Sequence, residues 1–376
     1  MNIALVIFPF HPSHGCILQT YALYTKLKEV GHTVTIINRK TLPVSLYNSL
    51  RRAVTNLKCR LQGSYFGPIF YLGNSPKAVM RKLQPFIDTY FGNDVVTVYS
   101  KEEAARLANH HSFDAFVVGS DQVWRPKYVP DIYHYYLNFV PENIPAKRIA
   151  YAPSFGTENW EYNEEQHVIC QKLIRRFKAI SVREKSGVSL CKKYFDIDAE
   201  SVLDPTLLLT KEDYLKVLDD KVSRKEKILS YYFLDEAVDK IAFMNSISKH
   251  LGLKSHRINT KTEDANARLK DRIAPSIEVW LGGFVKSEFV IVDSFHAMVF
   301  AILFNVPFIV VANAARGLAR FTSLLDLLGL SDRLVTDVTK VPLDLLNKGI
   351  DWNKVNESLA VERNRCLTFL QNALSE

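Results

Sequence analysis

Short apolar runs alternate with helix-periodic segments along most of the chain, and that alternation constrains the fold more than any other feature. "NIALVIF" has the continuous apolar character of a strand buried on both faces. A helix follows, with Leu23, Leu27 and Val30 spaced at i, i+4 and i+7. Gly31 stands where a helix ends, and "TVTIIN" reads as the next strand. This is a βαβ unit, and sheets built from such units bind ligands beyond the carboxyl ends of their strands.

The same alternation returns with "FDAFVVGS" (113–120), "RIAYAPSFG" (148–156) and "AISVRE" (179–184). "SVLDPTLLL" (201–209) follows, and its Asp-Pro reads as the exit from a first domain. A second series runs through "KILSYYF" (227–233), "SHRIN" (255–259), "EFVIVDSFHAMVFAILF", "PFIVVA" and the helix "RFTSLLDLLGL". The expected organisation is α/β, with two doubly wound, Rossmann-like domains facing a cleft. The first spans 1–205 with a helical insertion at 41–112, and the second spans 206–350. The remainder, 351–376, is a polar helix that folds back on the first domain.

A chain of 376 residues exceeds one ordinary core, which suits two domains. No run of eighteen apolar residues is free of polar interruption, and "MNIALVIFPFH" has no basic n-region, so neither a transmembrane helix nor a signal peptide is expected. Five scattered cysteines without a C-x-x-C argue against a disulfide framework or zinc site and for a reducing cytoplasm. Net charge is +8 and uneven: residues 51–82 hold seven basic side chains and no acidic one. That segment is either a solvated face or a contact with an anionic partner, such as the inner face of a membrane. No nucleic-acid recognition motif is present.

Polar clusters fall at the ends of several expected strands. In "FPFHPSHGCILQ", His14 and Gln19 lie on or just after the first βα loop, without a G-x-G-x-x-G dinucleotide fingerprint. In "VVGSDQVWRP", Asp121 either caps a turn or faces the cleft, and Trp124 either fills the core or offers a plane to a sugar ring. Ser154 occupies the corresponding strand end in "YAPSFG", and Arg183 follows an apolar strand. Arginine suits carboxylate and phosphate because its planar donors engage two oxygens at once, although an ordinary ion pair is the plainer reading.

In "VDSFHAMVFAILF", Ser294 or Asp293 is expected to cap a helix starting near Phe295, with His296 in its first turn. The unbonded N–H groups of that turn attract an anion. A neutral imidazole there can act as base and later return the proton.

Taken in order, "HGCILQTYAL", "DAFVVGSDQVWRP", "YAPSFG", "SVREKSG", "VLDPTLLL" and "VDSFHAMVFAILFNVPFIVV" resemble the polysaccharide pyruvyl transferase family, and "NAARGLARFTSLLDLLGLSDR" extends the likeness to about residue 335. The resemblance implies a GT-B-like fold and transfer of pyruvyl from phosphoenolpyruvate to a sugar, as a ketal. The acceptor would be a unit of a bacterial surface polysaccharide, such as an exopolysaccharide or capsule, or its lipid-linked precursor. It implies His296 as the catalytic histidine and Arg183 as an arginine holding the anionic donor. Better-understood members carry Arg-Leu-His where this chain has Ser294-Phe295-His296, so Arg316 or Arg320 is expected to supply the missing donor charge, with Ser294 beside it. His14, Gln19, Asp121, Trp124 and Ser154 are candidates for the acceptor side. No metal or cofactor is implied beyond phosphoenolpyruvate as a substrate. A nucleotide-sugar glycosyltransferase of the same shape and a non-enzymatic anion-binding module are the competing readings.

Overall fold

The computed structural model describes residues 1–41, 54, 58, 76–218, 225–264, 266–313 and 317–375. Two parallel sheets form its frame. The first has seven strands: β1 (Asn2–Ile7), β2 (Thr33–Arg39), β3 (Val95–Val98), β4 (Ala115–Asp121), β5 (Lys147–Pro153), β6 (Ala179–Val182) and β7 (Glu200–Ser201). They lie in the order β3-β2-β1-β4-β5-β6-β7. The second has five: β8 (Ile228–Tyr232), β9 (Lys254–Arg257), β10 (Phe289–Val292), β11 (Phe308–Val311) and β12 (Leu334–Val335), in the order β12-β11-β10-β8-β9. Each strand order reverses once, between β1 and β4 and between β8 and β10. Such reversals open a crevice at the carboxyl ends, and the two crevices face each other. The doubly wound, two-unit architecture is the one expected.

Five helices place the site: α1 (His14–Glu29), α2 (Ile277–Val285), α3 (Phe295–Leu303), α4 (Ala319–Leu328) and α5 (Trp352–Leu374). Ser13 caps α1 by accepting from the Cys16 amide at 3.4 Å, and Gly31 follows its end at φ +88°. All nine residues of α3 are buried. One apolar cluster runs without a break from β1 and α1 through Trp280 and Phe300 of the second unit. The two units therefore share a core. α5 lies back on the first unit, where Arg363 donates to the Leu207 carbonyl at 2.8 Å and Lys147 donates to that of Leu374 at 2.8 Å.

Residues 41–112 differ from a purely helical insertion. Short helices occur at Pro76–Met80 and Gln84–Tyr90, but β3 and the helix Lys101–His110 already belong to the first α/β unit. β3 escapes a reading of apolar runs because it is four residues long and mostly half-buried at the sheet edge. The unit boundary also lies later than 205. Tyr214 donates to the Thr206 carbonyl at 2.8 Å and packs against Tyr21 of α1, so this stretch belongs to the first unit. Most of the basic segment 51–82 falls outside the described residues; Lys58, Lys77, Arg81 and Lys82 are exposed. Among the described residues no helix is long and apolar enough to cross a membrane.

Candidate active site

A cleft of about 940 Å³ opens where the carboxyl ends of the two sheets face each other. Its walls include His11 to Gly15 after β1, Asp121 at the end of β4, Tyr232 to Glu236 at and beyond the end of β8, Arg257 at the end of β9 with Asn259 to Asp264 beyond it, Asp293 to His296 after β10, and Arg320 in α4.

The start of α3 forms one wall. Ser294 occupies the N-cap position, but its hydroxyl caps nothing and lines the cleft. The first intrahelical bond runs from the Met298 amide to the Ser294 carbonyl at 3.0 Å, so the amides of Phe295, His296 and Ala297 precede it. Asp293 does not cap α3 either. It accepts from the Leu234 amide at 2.6 Å, the Asp235 amide at 3.3 Å and Lys240 Nζ at 2.7 Å, pinning the loop after β8. Burial raises the Asp293 carboxyl, against the opposing pull of Lys240.

His296 is nearly buried at the seam between the units. Its Nε2 is enclosed and faces Asp204 Oδ2 at 3.5 Å, the outer limit of hydrogen bonding. Nδ1 stands beside the α-carbon of Gly15 on the cleft wall, and is the ring nitrogen open to a ligand. Gly15 is required by this approach, since a Cβ there would sit 2.1 Å from Nδ1.

Asp204 is completely buried. Oδ1 accepts from the Thr206 amide at 3.0 Å and its hydroxyl at 2.6 Å, while Oδ2 accepts from Arg183. Burial alone would raise this carboxyl. His296, Arg183 and the Thr206 hydroxyl override it and hold the group well below the usual carboxylate range. Asp204 is the residue that sequence reasoning missed: "LDPT" reads as a domain exit, and nothing local shows that its carboxylate faces a histidine 92 positions later.

Arg183 follows β6 as expected, but its placement revises the role of donor clamp. Its side chain is 1% exposed, and its terminal nitrogens donate to Asp204 and, at 3.3 Å, to Asp121. It is absent from the lining of the main cleft and borders a smaller cavity of about 190 Å³ that shares Phe295 and Arg320 with it. Arg183 thus stands behind the cleft and anchors the carboxylate that faces His296. Arg320, by contrast, lies on the cleft wall itself. Burial, and then repulsion from Arg183, pull its guanidinium down to about 10, still cationic at neutral pH. Both guanidinium groups lie over Phe295, at 4.9 Å and 5.6 Å from the ring centre. Arg316 lies outside the described residues.

Asp121 lines the cleft with a backbone φ of +66°, a conformation a non-glycine residue adopts at a cost and often at functional sites. Burial would raise its carboxyl, but Arg183, His296, Arg320 and His11 together hold it low. His11 is also on the wall, and its Nδ1 donates to the Pro9 carbonyl at 2.9 Å.

His14 reaches the cleft edge but serves as a bridge between units. Its Nε2 donates to the Pro275 carbonyl at 2.9 Å, and its ring stacks on Trp280 at 5.0 Å. Burial pulls its pKa down to about 4, despite the hydrogen bond to Pro275.

Three expected acceptor residues lie away from the cleft. Trp124 is fully buried, donates to the Tyr135 carbonyl at 3.1 Å and stacks on Tyr136. Ser154 is equally buried and donates to Glu184 Oε1 at 3.1 Å, shaping the turn after β5. Gln19 is enclosed in α1 one turn beyond Gly15 and does not line the cleft. Trp124 and Ser154 follow strands that serve the site and Gln19 sits on α1, but each side chain turns into the core. Among the described residues, no cluster of three or more His, Cys, Asp or Glu could hold a metal ion.

A family model described as polysaccharide pyruvyl transferase matches residues 14–314, from the bridging histidine of α1 to beyond β11. No curated protein matches. Solved structures share the two-unit architecture at low identity. UDP-N-acetylglucosamine 2-epimerase from Rickettsia bellii is 10% identical with a TM-score of 0.50, covering 100% of this chain and 97% of that one. Arabidopsis thaliana UGT89C1, complexed with quercetin, is 11% identical with a TM-score of 0.50, covering 99% of each chain. An alpha-glucosyltransferase in complex with UDP and DNA is 10% identical with a TM-score of 0.50, covering 100% of each. At these identities the likeness speaks to the fold alone, which is GT-B-like.

Proposed function

The chain belongs to the polysaccharide pyruvyl transferase family, and from that premise we propose that it moves the pyruvyl group of phosphoenolpyruvate onto a saccharide as a cyclic ketal. The saccharide is a unit of a polysaccharide or of its lipid-linked precursor. The observation that carries this reading is His296 Nδ1, open to the cleft beside Arg320 and the free amides of α3, with the Asp204 carboxylate behind Nε2.

The reaction adds two sugar hydroxyls across one carbon. One hydroxyl oxygen bonds to C2 of the enol as the methylene C3 takes a proton and becomes a methyl group. The C2–O bond to phosphate then breaks, and the second hydroxyl oxygen bonds to C2. Of the two hydroxyl protons, one accounts for the methyl group and the other leaves with phosphate. These steps need an acid–base group at the reacting carbon and a cationic seat for carboxylate and phosphate. With the Asp204 carboxylate facing the enclosed Nε2, we assign proton exchange to Nδ1, the ring nitrogen on the cleft side. Arg320 and the amides at the start of α3 supply the anion seat. Arg183 keeps Asp204 ionised and fixed rather than touching the donor.

The test is phosphate release from phosphoenolpyruvate in the presence of a saccharide panel, with the ketal identified by mass spectrometry. His296→Ala should remain folded and lose ~100- to 10,000-fold in turnover. A folded His296→Ala enzyme with near-normal rate sinks the assignment. A wild-type enzyme that turns over a nucleotide-sugar and ignores phosphoenolpyruvate sinks the donor.

A further inference from the structure

Ketal formation takes protons from two sugar hydroxyls, and His296 is fixed too firmly to serve both. Its ring is set against the α-carbon of Gly15 and its Nε2 is enclosed, so Nδ1 keeps to one point of the cleft. That point has to lie beside the first hydroxyl and the methylene carbon that becomes a methyl group. The second hydroxyl bonds to C2 only after phosphate has left, from a different position, and it needs a base of its own.

Among the described residues three histidines line the cleft: His11, His14 and His296. His14 is unsuited, because its Nε2 donates to the Pro275 carbonyl and burial pulls its pKa down to about 4. His11 is differently placed. Its Nδ1 lies 2.9 Å from the Pro9 carbonyl, which can only accept, so in the neutral ring Nδ1 carries the proton and Nε2 the lone pair. Among the described residues nothing hydrogen-bonds Nε2, and it is not enclosed. The ring leans on Phe8, 5.1 Å away between centres, and both residues line the cleft. His11 belongs to the loop that leads from β1 to Gly15, so both imidazoles approach the same end of the cleft.

A carboxylate completes the arrangement. Asp121 Oδ1 accepts from the Gln122 amide at 2.9 Å and from Arg183 at 3.3 Å, while among the described residues Oδ2 has no hydrogen-bond partner. Against the upward push of burial, Arg183, His296, Arg320 and His11 hold this carboxyl low. It is therefore a poor base but a favourable neighbour for an imidazolium.

We propose that His11 is a second catalytic residue: its Nε2 takes the proton of the second hydroxyl as that oxygen bonds to C2, and passes it to the phosphate just released. The family match begins at residue 14 and gives His11 no role. The assignment rests on the pyruvyl-transfer reading. Without this base, the cation left at C2 when phosphate departs is open to water. Water bonded to C2 gives a hemiketal that collapses to pyruvate and the free sugar, so the net reaction becomes hydrolysis of phosphoenolpyruvate to pyruvate and phosphate.

Phosphate, pyruvate and ketal are therefore counted in one sample. The wild type should match every phosphate with a ketal. His11→Asn, whose amide can still donate to the Pro9 carbonyl, should lower the ketal-to-phosphate ratio at least about ten-fold, with pyruvate making up the difference. His11→Ala should do the same, and added imidazole should restore part of its ketal yield. An unchanged ratio in either folded variant overturns the role of His11 and leaves the transfer reading standing. A lowered ratio that imidazole does not raise reduces His11 to packing and also overturns it. A wild type that releases no phosphate from phosphoenolpyruvate overturns the transfer reading, and this assignment with it.

Discussion

Gly15 and His296 meet across the boundary between the two units: a Cβ on Gly15 would lie 2.1 Å from His296 Nδ1 and 2.3 Å from Cγ. The glycine at the start of α1 therefore sets where the imidazole of α3 stands. A methyl group there must push the ring or separate the helices. Overpacking of this kind typically costs ~1–3 kcal/mol, and a misplacement of about 1 Å can cost on the order of 100-fold in rate. Gly15→Ala should thus lower the unfolding midpoint modestly and reduce phosphate release far more. Thermal unfolding and turnover on one sample check this. Unchanged turnover would mean the ring position is not critical.

Asp204→Asn should be among the most damaging substitutions to stability, because it leaves the buried Arg183 guanidinium facing a neutral amide. Breaking a buried pair in this way costs about 3–5 kcal/mol. The pH dependence follows from the direction of the shift. Against the upward push of burial, His296 and Arg183 hold Asp204 below its unfolded value. Its contribution is therefore complete above about pH 3.9 and is lost as pH falls through the lower folded value. Urea midpoints taken from neutral pH down to pH 3 should decline at the acid end in the wild type and less steeply in Asp204→Asn. Parallel curves would refute the coupling.

His14 titrates in a different window. Burial lowers its pKa from 6.5 to about 4, so the unfolded chain binds the extra proton between those values. The stability it contributes is complete above about pH 6.5 and is lost progressively toward pH 4, in total of order 3 kcal/mol. His14→Gln keeps a donor for the Pro275 carbonyl but does not titrate. Its stability should be flatter than that of the wild type between pH 6.5 and 4, with little difference at pH 8. If calorimetric unfolding finds the same slope in both, the buried bridge is not the titrating group.

Arg320→Gln removes the arginine on the cleft wall. A charge-assisted hydrogen bond is worth about 1.5–3 kcal/mol, so phosphoenolpyruvate affinity should fall roughly ten- to a hundred-fold with saccharide binding little changed. Isothermal calorimetry with each ligand separates the two. A loss confined to the saccharide would place Arg320 on the acceptor side.

Periodicity was enough to find the central strands of both sheets, because β1, β4 and β10 are apolar runs buried along nearly their whole length. It also placed His296 at the start of a helix and Arg183 at a strand end. What it could not convey was which way a side chain turns there. Trp124 lies three residues beyond the strand that Asp121 ends, and Ser154 directly follows β5, yet Tyr136 and Glu184 draw their side chains inward. The partners of Arg183 lie 62 positions before it and 21 after it, so its ion pairs exist only once β4, β6 and the 204 turn are assembled. Asp204 was hidden for the same reason.

The apolar cluster that passes unbroken from β1 through α1 to Trp280 and Phe300 also bears on how such a protein can be rebuilt. A half expressed alone would leave the inner face of α1 or of α3 in water, with His14 parted from Pro275. Domain shuffling among relatives would therefore require α1 to travel with the partner surface of α2 and α3. The unit of inheritance is the pair of helix starts that holds Gly15 against His296, rather than either sheet.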